Sequence, residues 1–191
     1  MRTSKIERKT NETDIQVSVN LDGQGKAELE LRPCFFKHIL TSMIMYSGCD
    51  ITIKAIGDLE HHIIEDVAIS LGRALRESIG DYTKITRFGQ AIIPMDDSLA
   101  LVVIDICNRS FSVVDFHSKA TRIEDTQLED IIHFINSFAA SIQSTIHVKV
   151  FYGENEHHKI EAVFKALGFS LRDALQLHEK ELPALSTKGV L

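Results

Sequence analysis

Two stretches of this chain carry two histidines, an isoleucine and a glutamate at the same spacing, His61-His62-Ile63-Ile64-Glu65 and His157-His158-Lys159-Ile160-Glu161. In a helix, residues four apart lie about 40° from one another around the axis, and adjacent residues about 100°. His61 with Glu65, and His157 with Glu161, can therefore share one ion, while His62 and His158 point elsewhere, to a second ion or another partner. Imidazole with carboxylate is a donor set for divalent transition metals, and its duplication in one register points to metal chemistry. His38 and His147, near the ends of other elements, raise the six ligands to eight. Divided over two ions this gives about three imidazoles and one carboxylate each, which leaves open positions on an octahedral ion for water or substrate. Open positions imply catalysis. Ligand type alone does not choose among manganese, iron, cobalt, nickel and zinc. His117, His133 and His178 lack a partner at ligand spacing and read as surface or core residues.

Several cations could bind an anion: Arg87 before Phe88-Gly89, Arg109 in Asn108-Arg109-Ser110, Lys165, and Lys188 in Ser186-Thr187-Lys188-Gly189. Singly, each reads as a surface charge. Lys165, four residues after Glu161, reads equally as a helix ion pair and as a phosphate ligand one turn from a metal carboxylate.

The elements that must position these groups repeat as well. Segments 61–79 and 157–175, offset by 96 residues, agree at His, His, Ile, Glu, Val, Leu, Gly, Leu and Arg, and both have the spacing of an amphipathic helix. Alternation at Ile15, Val17, Val19 and Leu21, then at Ala27, Leu29 and Leu31, predicts a hairpin around Asp22-Gly23-Gln24-Gly25. A helix from Phe35 to about Ser47 and a strand over Asp50 to Ile56 complete a β-β-α-β-α order. The second half repeats it with strands near 99–107 and 111–117, a helix near 126–143, a strand near 145–152 and the helix 157–175. The link from Gly80 to Pro94 contributes a strand of its own. The expectation is one α+β domain of two fused repeats, approximately 1–86 and 87–178, with helices on one face of each sheet and an unpatterned tail over 179–191.

The 191 residues suffice for a sizeable core, and a net charge of −6 without a basic stripe argues against a nucleic-acid partner. No apolar run approaches the roughly 20 residues that cross a bilayer, and no leader pattern opens the chain, so a soluble protein without a membrane partner is expected. Cys34, Cys49 and Cys107 form no C-x-x-C pair, which fits a reducing cytoplasm.

The chain resembles imidazoleglycerol-phosphate dehydratases of histidine biosynthesis. The resemblance rests on Arg8-Lys9-Thr10-Asn11-Glu12-Thr13, Leu21-Asp22-Gly23, Phe36-Lys37-His38-Ile39-Leu40, Gly57-Asp58-Leu59, both double-histidine segments, Arg87-Phe88-Gly89, Pro94-Met95-Asp96-Asp97, Thr145-Ile146-His147, Phe164-Lys165-Ala166 and the closing Ser186-Thr187-Lys188-Gly189. It implies duplicated β-β-α-β-α half-domains of the ribosomal protein S5 domain 2-like kind, two manganese ions per active site, and a homo-oligomer of 24 subunits with active sites between them. By position, the metal ligands it implies are His38, His61, His62, Glu65, His147, His157, His158 and Glu161. A phosphate would be held by Arg87, Arg109, Lys165, Ser186, Thr187 and Lys188, with Ser186 and Lys188 from a neighbouring subunit. The implied reaction converts D-erythro-imidazole-glycerol phosphate to imidazole acetol phosphate through an imidazolate. Glu12, in the family's Glu-Thr motif, is the acid–base candidate. Alternatives are another dimetal enzyme acting on a phosphorylated small molecule, and a metal-linked assembly protein. Three local departures are Ser47-Gly48 where relatives often have His-Gly, Lys37 where an aspartate is usual, and a short link from Leu59 through Glu60 to His61.

Overall fold

The computed structural model describes residues 1–178. The first half contains β1 (Thr3–Lys9), β2 (Thr13–Asn20), β3 (Ala27–Glu30), α1 (Cys34–Ser47), β4 (Asp50–Gly57) and α2 (Glu60–Ile79). The second contains β5 (Phe88–Met95), β6 (Ser98–Ile106), β7 (Phe111–Asp115), the two-residue strands β8 (Arg122–Ile123) and β9 (Thr126–Gln127), α3 (Leu128–Ile142), β10 (Ser144–Tyr152) and α4 (Glu156–Leu175). The sheets have matching orders, β1-β2-β4-β3 and β5-β6-β10-β7. This is the expected α+β architecture: β5 is the strand expected in the link between the halves, and β1 and the short β8–β9 pair are additional.

β1 escapes the sequence pattern because Ile6 is its single large apolar residue. Its backbone pairing with β2, from Thr3↔Asn20 to Lys9↔Asp14, holds it in place. The predicted hairpin is incorrect. β2 and β3 do not pair, because β4 lies between them, antiparallel to β2 (Val17↔Ile53) and parallel to β3 (Leu29↔Ile53). The intervening loop crosses the start of β4, where the Asp50 carboxylate accepts from the backbone N–H groups of Gln24 (2.8 Å) and Lys26 (2.9 Å). β4 wins the central place because Ile51, Ile53 and Ala55 are all buried there.

Alternate residues of each sheet face inward, among them Ile15, Val17 and Val19 of β2 and Ala100, Val102 and Ile104 of β6. Helices α1 and α2 cover the first sheet and α3 and α4 the second, so the helices form the middle of the molecule. They pair across the halves: α2 lies against α3, and α1 against α4. The repeated glycine sits at these crossings. A Cβ on Gly72 would come within 2.7 Å of Ser141, and one on Gly168 within 2.4 Å of the Met43 carbonyl oxygen. Phe36 of α1, Phe134 and Phe138 of α3 and Phe164 of α4 join the helices, with the Phe134 ring 5.2–5.8 Å from the other three.

The outward sheet faces differ. The first carries the ion pairs Lys5–Glu7, Lys26–Glu28 and Lys54–Glu30. The second exposes Phe88, Ile92, Phe111 and Val113. Among the described residues, no helix is long and apolar enough to cross a membrane.

Candidate metal centres

The helix pairing brings side chains together at the starts of α2 and α4. Among the described residues, His38, His157 and Glu161 form one group and His61, Glu65 and His133 another, each with ligand atoms within 4.8 Å of one another. In the first, Glu161 Oε2 lies 3.2 Å from His38 Nε2 and 3.3 Å from His157 Nε2. In the second, Glu65 Oε1 lies 3.2 Å from His133 Nε2, and the His61 and His133 rings are 5.2 Å apart. Each group takes its histidine and glutamate four apart from one helix, as the spacing predicts, and its second histidine from the helix packed across.

That second histidine was only half legible. His38 takes its expected place, but His133, read from sequence as a surface or core residue, stands where its counterpart is needed. His147 does not join these groups in the chain. It lies exposed on β10, between Val103 of β6 and Val113 of β7, with its ring 6.4 Å from that of Phe111. The missed signal is the match of α1 to α3. Phe36, Ile39 and Leu40 around His38 correspond to Ile131, Phe134 and Ile135 around His133, all buried. The residues differ and the offset is 133 − 38 = 95 rather than 96, so the repeat is hard to see.

All four histidines at the helix starts hold a carboxylate at Nδ1. His61 donates to Asp130 (2.6 Å), His62 to Asp58 (2.8 Å), His157 to Glu124 (3.2 Å) and His158 to Asp97 (2.6 Å). A carboxylate that accepts from the Nδ1–H orients the ring and leaves the Nε2 lone pair for a metal. Asp97 is itself well held. The His158 hydrogen bond, then the backbone N–H groups of Asn155 and Glu154, keep its carboxyl far below the ordinary range. Asn155 caps α4 by accepting from the N–H groups of His157 and His158, which fixes where the helix, and the ligand spacing, begins. Burial disfavours ionised Glu161, but hydrogen bonds from Lys165 and His38 outweigh it and hold the carboxyl below its usual value.

His62 and His158 point away from both groups, towards carboxylates. His62 Nδ1 is also 3.8 Å from Glu12, and His158 Nε2 is 3.5 Å from Asp96. Glu12, just before β2, and Asp97, just before β6, hold equivalent places in the two halves. Of the departures, Ser47 closes α1, donating to the Ile44 carbonyl and accepting from the Cys49 N–H. That is far from His38, about 13 Å along the helix at the standard rise. The short link before α2 still delivers a carboxylate, Asp58, to His62. Lys37 is exposed.

An open cleft of about 660 Å³ lies beside the first group, lined by Phe35, His38, Arg122, Glu124, His157 and Glu161. The anion candidates are dispersed. Lys165 is one turn from the cleft, paired with Glu161 at 2.9 Å and 3.1 Å from Met95 Sδ. Arg87 is buried and forked onto Asp105 at 2.6 and 3.0 Å. Its N–H donates to the Ala174 carbonyl near the end of α4, and Ala174 is about 25 Å from His157 at the helical rise. Arg109 lies in the β6–β7 turn, close to the same end. Ser186, Thr187 and Lys188 lie outside the described residues.

A model of the imidazoleglycerol-phosphate dehydratase family matches residues 33–171. Similar curated proteins are the imidazoleglycerol-phosphate dehydratases of Methanosarcina mazei, 45% identical with all of both chains covered, and of Clostridium novyi, 43% identical over 96% of this chain and 95% of that one. The chain belongs to the imidazoleglycerol-phosphate dehydratase family. Membership makes it an enzyme, a hydro-lyase. The family's solved structures share the fold described above. The Pyrococcus furiosus enzyme superposes with a TM-score of 0.85 at 42% identity, covering 97% of this chain and all of that one. The Staphylococcus aureus dehydratase gives 0.84 at 31% identity, covering 92% and 99%.

Proposed function

We propose that the chain dehydrates imidazoleglycerol phosphate to imidazole acetol phosphate in histidine biosynthesis, at a site that holds two manganese ions and is completed between subunits of a homo-oligomer. The observation that carries this reading is the pair of imidazole–carboxylate groups whose Nδ1 positions are already taken by carboxylates. Such donors fit a divalent metal with open positions. His38, His157 and Glu161 would hold one ion and His61, Glu65 and His133 the other. When bound, the metals supply Lewis-acid charge that holds the substrate's imidazole and stabilises negative charge developing on the ring.

His62 and His158, oriented outward by Asp58 and Asp97, are placed to complete centres in neighbouring subunits. A second subunit also answers the distance problem, since about 25 Å of helix α4 separates Arg87 from His157 of its own chain. The partner's arginines can then meet the phosphate while this chain's Lys165 lies near the metals. The apolar outer face of the second sheet fits packing against another copy better than contact with water.

The reaction breaks the C–O bond on the carbon beside the ring and the C–H bond on the next carbon, releases water, and leaves an enol that becomes the ketone. Glu12, exposed beside His62, is the group proposed to move the proton at carbon. Glu12→Gln is expected to lower kcat by roughly 10²–10⁴-fold with metal content unchanged. A kcat within a few-fold of the parent would show that another group performs the transfer.

The deciding assay measures dehydration by chelated protein, by the same protein with manganese restored, and by His62→Ala. Activity should vanish on chelation, return with manganese, and stay low in the variant. Full turnover by metal-free protein, or by His62→Ala, would sink the dimetal reading.

A further inference from the structure

The two centres are built by a repeat, yet their surroundings differ in charge. At His61, the Nδ1 partner is Asp130, a buried carboxylate 2.6 Å away on the first turn of α3. The corresponding position on α1 is Phe35, whose ring lies 4.9 Å from that of His157. His157 turns instead to Glu124, at 3.2 Å and with 58% of that side chain exposed. One turn beyond the ligand glutamates, Ile69 follows Glu65, while Lys165 follows Glu161 and binds its carboxylate at 2.9 Å. The first centre thus has a buried anion and an aliphatic residue where the second has a phenyl ring and a cation. His62 and His158 do not separate the centres, since each holds a carboxylate at Nδ1.

A buried anionic hydrogen bond raises the basicity of a ligating imidazole, and a lysine on the other oxygen of the ligand carboxylate, Oε1 where the histidines face Oε2, draws negative charge away from the metal side. From these differences, and resting on the dimetal reading above, we infer that the two metal sites are unequal. The His61–Glu65–His133 centre retains its ion tightly, and the His38–His157–Glu161 centre beside the open cleft releases its ion first. The exchangeable ion faces the open cleft. The enzyme then passes through a half-loaded state when metal is scarce.

The test is anomalous diffraction at the manganese edge from crystals of the assembled protein, equilibrated with graded chelator, beside metal content per chain in solution. The anomalous peak at His38–His157–Glu161 should fade first, and content should fall from two ions to one and then to none. Loss at the His61 centre first, or equal fading at both, overturns the inference. No peak at either centre in manganese-loaded crystals removes the dimetal reading and the inference with it. Asp130→Asn should weaken retention at the His61 centre by about 10–100-fold, the usual size of such a change around a metal ligand. Lys165→Met should tighten the other. If neither variant moves metal retention, the proposed cause is wrong even where the order holds.

Discussion

His133→Ala is expected to leave one centre empty and lower turnover on the order of a thousandfold or more, while His147→Ala retains both ions and most activity. His133 Nε2 lies 3.2 Å from Glu65 and its ring is 5.2 Å from that of His61, so its removal takes one of the three candidate ligands that this chain offers to that centre. A metal site contributes several kcal/mol to stabilising developing charge, and every 1.36 kcal/mol is tenfold in rate. His147 faces outward from β10 beside Phe111, with strands on both sides of it. Metal analysis and initial rates on the two variants decide the matter. If His147→Ala loses metal and His133→Ala keeps it, the grouping around α2 and α3 does not represent the working site.

The second large effect concerns stability. Phe134→Ala should cost about 3–5 kcal/mol, the range for deleting a fully buried phenyl group whose cavity cannot collapse. Phe134 is fully buried and its ring meets Phe36, Phe138 and Phe164, so three helices from both halves lose a shared contact. Against the 5–15 kcal/mol that separates most folded domains from their unfolded chains, this is a large fraction. Urea denaturation should be followed on chelated protein at fixed concentration, because bound metal and subunit association would each add apparent stability. A loss below about 1 kcal/mol would mean that the surrounding helices close over the cavity, which close-packed interiors seldom do. Since His133 is the preceding residue, the variant should also bind metal more weakly.

These two residues mark how far the sequence could be read. The candidate ligands at the helix starts were legible because a four-residue spacing is fixed by helix geometry and needs no tertiary contact. The four helices and the central strands were legible from apolar period. β1 was not, since a strand at a sheet edge with a polar outer face shows no alternation. The false hairpin arose because alternation locates strands without saying which will be neighbours. Only the Asp50 contacts with the Gln24 and Lys26 N–H groups reveal that the chain passes over the end of β4. His133 needed the α2–α3 crossing, and three of the four imidazoles take their carboxylates from loops and helices remote in sequence, as with Asp130 for His61 and Asp97 for His158; only Asp58, four residues before His62, is local. Arg87 shows the opposite failure. Its motif was plain, but only the fold shows that it stands at the far end of α4 from His157.

The pairing of α1 with α4 and of α2 with α3 also speaks to how such a chain could have arisen. A single half on its own would leave both helices with an apolar side uncovered. Two identical halves would cover one another by the same two crossings, related by a twofold axis, as in an isologous dimer. The present molecule has the form of such a dimer with its two chains joined through residues 80–87. In a dimer of identical chains, any substitution would alter both ligand groups at once. Joining them let Phe35 stand opposite Asp130 and Lys165 opposite Ile69, so that one ancestral site could become two with separate tasks.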